Sequence, residues 1–428
     1  MSERAIETPL RCATAGSVDD GKSTLIGRLL MDSKALMTDQ LAHVEQASKR
    51  RGLARTDLAL LTDGLRAERE QGITIDVAWR YFATPRRRFV LADSPGHVQY
   101  TRNMVTACSQ VDALVVLLDA RHFATEDFSL LEQTRRHLFV ARVLRVSSLV
   151  IAINKMDAVG FRREGYTRAR DAVLDYLESD AITFVPVSAL AGDNIVTPSR
   201  SMPWYQGPTL LTHLEGLPSD AAREDAPARL AVQWVIRPQS EQEPDYRGYA
   251  GRLSSGTLRV GQTVRVLPSN ATSRITRIET ARGEADVAVA SESIVVHLAD
   301  DVDVSRGDCL VADDEPRSTP TQELTLDVAW VNATAAKIGT SYVLKHMTRE
   351  VRAVLLGIDH HYDVTAGKAL PLGEQTSPIK QNDLARVRVR VSAPLPTDAF
   401  ARDRTAGSVL LIDPATAETL AAGMCLAP

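Results

Sequence analysis

"GSVDDGKS", residues 16–23, decides how the first half of the chain is read. Gly16, Gly21, Lys22 and Ser23 stand at the Gly-x4-Gly-Lys-Ser spacing of a phosphate-cradling loop. The glycines let successive backbone N–H groups converge on phosphate, the lysine reaches the outer phosphates, and the serine hydroxyl can ligate magnesium. Ser17, Val18, Asp19 and Asp20 form the cradle between the glycines, and Thr24 leads into a helix. The context agrees: "LRCATA" before the loop reads as a strand and "STLIGRLL" after it as a helix. The two acids are the surprise. Two unit charges about 6 Å apart at an effective dielectric near 20 repel by roughly 3 kcal/mol, so neither acid should face the phosphates without compensation.

Outward from this loop, residues 10 to about 213 alternate short apolar runs ("RRFVLAD", "ALVVLLD", "SLVIAIN", "ITFVPV") with longer mixed segments. Strand alternating with helix predicts a parallel sheet wrapped by helices, with phosphate-binding loops at the carboxyl ends of its strands. After "EGLPSDAAREDAPAR" the texture changes to β-branched alternation and Gly-containing turns, as in "GYAGRLSSGTLRVGQTVRVLP" and later "LARVRVRVSAPL". Runs of this kind read as antiparallel strands closing into small barrels. The prediction is an α/β P-loop domain over residues 1–217, a β-barrel over 218–317 and a second over 318–428.

Further motifs fall at the ends of predicted strands. "DSPG" (Asp93, Ser94, Pro95, Gly96) closes "RFVLA" roughly 70 residues beyond the loop. A carboxylate there can hold magnesium through water, and Gly96 can offer its N–H to a terminal phosphate. "NKMD" (Asn154, Lys155, Met156, Asp157) closes "SLVIAI". A carboxylate at Asp157 can accept both the N1–H and the exocyclic amine of guanine, which adenine cannot match, so the pattern selects GTP over ATP. "SAL" (Ser188, Ala189, Leu190) would complete the base pocket. In "EREQGITID", residues 68–76, Thr74 is the candidate for a switch that closes on magnesium and the terminal phosphate. Read alone, a threonine in "ITIDV" reflects strand propensity; beside the other motifs the switch reading prevails.

Composition bounds the partners. Hydrophobic residues make up 44% and charged residues 24%, a globular balance, and 50 Lys plus Arg against 54 Asp plus Glu give no general affinity for nucleic acid. The run Arg86, Arg87, Arg88 reads as a solvated hairpin turn. Cys12, Cys108, Cys309 and Cys425 lie far apart and read as scattered, reduced thiols. The N-terminus carries no long apolar stretch, which leads us to expect a cytoplasmic protein. The adjacent pair His360, His361 reads as structural or surface.

The quartet GSVDDGKS, AEREQGITID, DSPGH and NKMD resembles the elongation factor Tu-like GTPases. Within them, "GSVDDGKSTLIGRLLMDSKAL", "DSPGHVQYTRNMVTACS" and "QTRRH" are similar to the large GTP-binding subunit of bacterial ATP sulfurylase, a similarity running from about residue 10 to the end. The resemblance implies GTP and Mg2+ as ligands, with Ser23, Thr74 and Asp93 at the metal. It implies a smaller catalytic sulfate adenylyltransferase subunit as partner, on which ATP and sulfate become adenosine 5'-phosphosulfate and pyrophosphate. GTP hydrolysis would drive that uphill step.

By register His97 is the residue expected to place the attacking water, with Lys22 and Thr74 beside it in hydrolysis. Asp19 lies where translation-type GTPases can hold a monovalent cation, and Asp20 is expected to point outward and bond the loop or a switch. Departures are Val98 after that histidine, Asp403 between two arginines, and a longer segment after "ALVVLLDAR" whose Phe123, Glu126, Asp127 and Phe128 are expected in a loop. Some relatives continue into an adenylylsulfate kinase domain, which is not expected here. A translation-factor-type GTPase binding aminoacyl-tRNA stays open as the alternative, as does a subunit that binds GTP without hydrolysing it. Assimilation of sulfate is the default role, with sulfation of a secondary metabolite or signal left open beside it.

Overall fold

The computed structural model describes residues 9–33, 78–93, 101–125, 129–177, 182–218, 225–238, 246–313, 320–370 and 378–426. It divides into two compact units, Met1–Asp220 with Asp363–Lys368, and Ala221–Tyr362 with Ala369–Pro428.

In the first unit the strands are β1 (Leu10–Ala15), β2 (Ala78–Ala83), β3 (Arg88–Asp93), β4 (Ala113–Asp119), β5 (Ser148–Asn154) and β6 (Ile182–Pro186). They form one six-stranded sheet in the order β2-β3-β1-β4-β5-β6. Only β2, joined to β3 by a hairpin, runs antiparallel to its neighbour. In β4, "ALVVLLD" is buried at every position but the last, as a central parallel strand apolar on both faces requires. The helices are α1 (Lys22–Asp32), α2 (Thr101–Cys108), α3 (Ala120–Phe123), α4 (Glu132–Val143), α5 (Arg163–Leu177) and α6 (Leu210–Gly216). Leu25, Ile26, Leu29 and Leu30 of α1 pack with Leu210, Leu211 and Leu214 of α6 and with inward residues of the sheet. The parallel registers pair Thr14 with Asp93 and Asp119 with Asn154. The carboxyl ends of β1 and β3, and of β4 and β5, are thereby level, and the motifs leave the sheet at one edge.

Two sequence expectations need correction here. Arg86 and Arg88 are exposed in the β2–β3 turn, but Arg87 is buried. Its guanidinium donates to the carbonyls of Glu215 (3.4 Å) and Leu217 at the end of α6. A cation suits the unpaired carbonyls at a helix C-terminus, so the turn clasps α6 rather than lying wholly in solvent. Thr84 adds a bond of 2.7 Å to the Glu215 carboxylate. Phe123 likewise is not in a loop: it ends α3 and is buried. Glu126, Asp127 and Phe128 lie outside the described residues.

The second unit holds two closed antiparallel barrels. In the first, Thr263–Leu267, Cys309–Ala312, Arg229–Ile236, Gly248–Ser255, Ser293–Leu298 and Ala271–Thr280 are neighbours in that order, and the last pairs back with the first. In the second, Ser341–His346, Ser408–Ile412, Thr419–Cys425, Thr321–Trp330, Leu384–Leu395 and Arg349–Asp363 close in the same way. Closure pairs each of these six strands on both sides within its own barrel. The alternation of "ARVRVRV" explains its strand: Val387, Val389 and Val391 are buried in the core. Outside, Arg386, Arg388 and Arg390 meet Asp327, Asp359 and Glu323 at 2.8, 2.9 and 2.6 Å. Arg229 of one barrel pairs with Asp398 of the other at 3.1 Å, both side chains nearly enclosed.

His360 and His361 lie in the strand Arg349–Asp363, His361 buried, and no cluster of metal-ligating side chains occurs among the described residues. All four cysteines are free and buried. Burial pushes the thiols of Cys12, Cys309 and Cys425 up to about 12, which keeps them protonated and unreactive. Among the described residues no helix is long and apolar enough to cross a membrane.

Candidate nucleotide site

The loop after β1 supplies the first wall. Gly16, Asp19 and Gly21 have φ of +153°, +67° and +93°. At Gly21 a side chain is excluded twice over, by the left-handed backbone and because a Cβ would come within 2.5 Å of Asn154 Nδ2. Lys22 opens α1, buried, and its amine donates to the carbonyls of Gly16 (2.8 Å) and Ser17 (2.9 Å). Burial pushes this amine down, while Asp20, Asp93 and Asp19 hold it up. Ser23 and Thr24, on the first turn of α1, are half-buried. Val18 and Asp19 are exposed.

Asp20 contradicts its expected outward orientation. It is only 4% exposed, and its carboxylate accepts the Ser17 N–H at 2.6 Å. The side chain braces the loop from within, so only Asp19 is left facing outward. Burial drives the Asp20 carboxyl up to about 6, partly offset by the Ser17 N–H and by Lys22. A carboxyl raised in this way favours the fold most below its ordinary range, near pH 4, and that contribution is lost as pH rises through 6. Asp20→Asn keeps an acceptor for Ser17 and removes the charge. We expect it to raise stability by about 1–2 kcal/mol at pH 7.5, less than the roughly 3 kcal/mol of a two-unit shift because the loop relaxes. The gain should vanish by pH 4. Thermal melts of both proteins across that range check this, and a pH-independent difference would refute the assignment.

The guanine-type motif forms the second wall. Asn154, buried at the end of β5, donates through Nδ2 to the Asp20 carbonyl at 2.8 Å and accepts the Ala189 N–H through Oδ1 at 2.9 Å. One amide thus ties the phosphate loop to the "SAL" segment. Lys155, at φ +61°, returns its amine to the Asp19 carbonyl and to Asp119 Oδ2. Met156 is buried beneath. Asp157 stands half-buried, fixed by the Ser188 hydroxyl at 2.6 Å. Leu190 is exposed at the rim, its carbonyl held by Arg28.

Asp93 is buried at the end of β3 and accepts the Thr14 hydroxyl at 3.3 Å. Thr74, Ser94, Pro95, Gly96 and His97 lie outside the described residues. A guanosine triphosphate with magnesium fits the donor set that is described. Lys22 and the left-handed loop suit phosphate, the Ser17 hydroxyl is buried without a partner among the described residues, Ser23 and Asp93 offer hard oxygens, and Asp157 has acceptor capacity left beside Ser188.

Two residues were missed from the sequence. Asp119, at the end of β4, caps α3 and binds Lys155. Its signal was available, since it is another acid closing a strand of the sheet, as Asp93 does. His137 of α4 is fully buried, bonds the Gln133 amide at 3.0 Å, and is driven down to about 3 by burial and then by Lys22. No sequence signal separates it from an ordinary helix histidine.

A P-loop guanine-nucleotide fold followed by two barrels defines a translation-factor-like GTPase, and family models bear this out. Residues 7–219 match the elongation factor Tu GTP binding domain, 249–311 elongation factor Tu domain 2, and 323–426 the GTP-eEF1A C-terminal domain-like family. The bifunctional enzyme CysN/CysC of Mycobacterium tuberculosis (strain H37Rv) is 50% identical over 424 residues, 98% of this chain and 67% of that protein. Sulfate adenylyltransferase subunit 1 of Laribacter hongkongensis is 42% identical, over 97% of this chain and 84% of its own, and that of Aeromonas hydrophila 44%, over 97% and 85%. The chain belongs to the sulfate adenylyltransferase subunit 1 (CysN) family of elongation factor Tu-like GTPases.

Proposed function

We propose that this chain is the GTPase subunit of a sulfate adenylyltransferase, working with a smaller catalytic subunit of the CysD type that converts ATP and sulfate to adenosine 5'-phosphosulfate and pyrophosphate. The observation that carries the GTPase part is the Asn154–Asp157–Ser188 arrangement closing on the phosphate loop. The sulfate part rests on relatives named for that activity, aligned over nearly the whole chain.

The residues divide the work. Lys22 and the backbone of residues 17 to 24 bind phosphate, Asp157 selects guanine, and Ser188, Ala189 and Leu190 close the base pocket. Ser23, Asp93 and Thr74 are the proposed magnesium ligands. When bound, magnesium neutralises phosphate charge. His97 and Gly96 are proposed to orient water and the terminal phosphate. Asp19, exposed while Asp20 bonds the loop from within, is proposed to support a monovalent cation beside the phosphates. That cation predicts faster GTP turnover in potassium than in a large organic cation, a difference lost in Asp19→Asn.

The test uses the chain with its smaller subunit. GTP turnover should rise at least tenfold when subunit, ATP and sulfate are all present, and pyrophosphate release should depend on GTP. Absence of partner-stimulated turnover would overturn the mechanism. Binding of aminoacyl-tRNA by the GTP form alone would restore the translation-factor reading.

A further inference from the structure

Lys155 carries a long flexible side chain, yet its amine is held at two points, the Asp19 carbonyl of the phosphate loop and Asp119 Oδ2 at 2.9 Å. The register explains the reach: Asp119 lies directly opposite Asn154 on the adjacent strand, so the lysine one residue further on turns back across the strand ends. Asp119 is shared. Its Oδ1 caps α3 by accepting the Arg121 N–H at 2.9 Å, and the Arg121 guanidinium grips both oxygens at 2.6 to 3.1 Å. The side chain is only 15% exposed, against 57% for Arg121. Burial works against its ionisation, but the hydrogen bonds from Arg121 and Lys155 outweigh that and keep the carboxyl below its ordinary range.

Without an anion at this position, Lys155 would hold the phosphate loop by one carbonyl contact and recover its rotamer freedom. The phosphate loop and the guanine motif would then separate more often. The geometry points to Asp119 as a positioning residue, which holds Lys155 against the phosphate loop and so sets how slowly a bound guanine nucleotide leaves. The inference rests on the guanine-nucleotide reading above and adds a partner on β4 that the nucleotide motifs do not contain.

The experiment is stopped-flow dissociation of a fluorescent GDP analogue from the full chain. Asp119→Asn retains an α3 cap, since Asn caps as well as Asp, but loses the charge. We expect dissociation about tenfold faster than wild type, in line with loss of a charge-assisted hydrogen bond that is partly exposed, with the melting temperature little changed. In a Lys155→Ala background the same substitution should add nothing. Arg121→Ala, which leaves the cap and the lysine contact, should stay within about twofold of wild type. If Asp119→Asn matches wild type and only Asp119→Ala is fast, the carboxylate is no more than a helix cap and the inference falls. It falls equally if Arg121→Ala accelerates release as much as Asp119→Asn. Failure of the wild-type chain to bind the analogue would instead sink the nucleotide reading itself.

Discussion

Replacing Asp157 with asparagine should lower GTP affinity by about 100-fold or more and make xanthosine triphosphate the better ligand. The Asp157 carboxylate is acceptor-only, and Ser188 occupies one lone pair at 2.6 Å, fixing the side chain and leaving acceptor capacity for a base. Guanine presents two adjacent donors, N1–H and the exocyclic amine. Asparagine turns one acceptor into a donor that opposes the amine. A buried group left unsatisfied costs about 1–3 kcal/mol, and a group on each side loses its partner. Xanthine has a carbonyl where guanine has the amine, so it meets the new donor correctly. Calorimetric titration of the variant with both nucleotides decides the matter. GTP affinity within threefold of wild type would show that Asp157 does not read the base.

Asp398→Ala should cost about 3–5 kcal/mol of stability in the barrel unit, the usual result of stranding one half of an enclosed ion pair. Arg229 and Asp398 are 3% and 10% exposed and 3.1 Å apart, and the arginine also donates to the Ala228 carbonyl. Losing the carboxylate leaves a guanidinium charge that cannot reach water. Asp398→Asn, which keeps an acceptor, should cost less, about 1–3 kcal/mol. Urea unfolding followed at the barrel tryptophans, Trp234 and Trp330, measures both. A loss below 1 kcal/mol for the alanine variant would mean that the pair is solvated enough to be dispensable. Binding of the GDP analogue should be unaffected, because neither residue belongs to the nucleotide motifs.

Where short-range rules govern, the sequence was a sufficient guide. The loop at 16–23 is read by spacing alone, because glycines at fixed positions and a lysine before a helix have one low-energy use. The α/β-then-barrel order followed from apolar period, and "ARVRVRV" shows why: every second residue enters the core, and the alternate arginines find acids on neighbouring strands. Asn154, Asp157 and Ser188 come together as their strand-end positions implied.

Long-range contacts were not legible. Arg87 looked like part of a solvated basic turn until α6, some 130 residues on, supplied carbonyls for it. Asp20 looked misplaced because charge was weighed against the phosphates, whereas the loop's own Ser17 N–H turns it inward. "LLDARHF" shows Asp119 only as an acid closing a strand; that the lysine just after the neighbouring strand turns back to it depends on the tertiary register.

By itself, then, the amino-acid order determined the ligand class and the layer architecture, since backbone spacing and hydrophobic period act between near neighbours. Only the tertiary structure decided which acid of "DD" braces the loop, which arginine is buried, and what holds Lys155. Those outcomes depend on carbonyls and carboxylates brought close from distant positions, and the free energy of a charge is set by the groups that surround it.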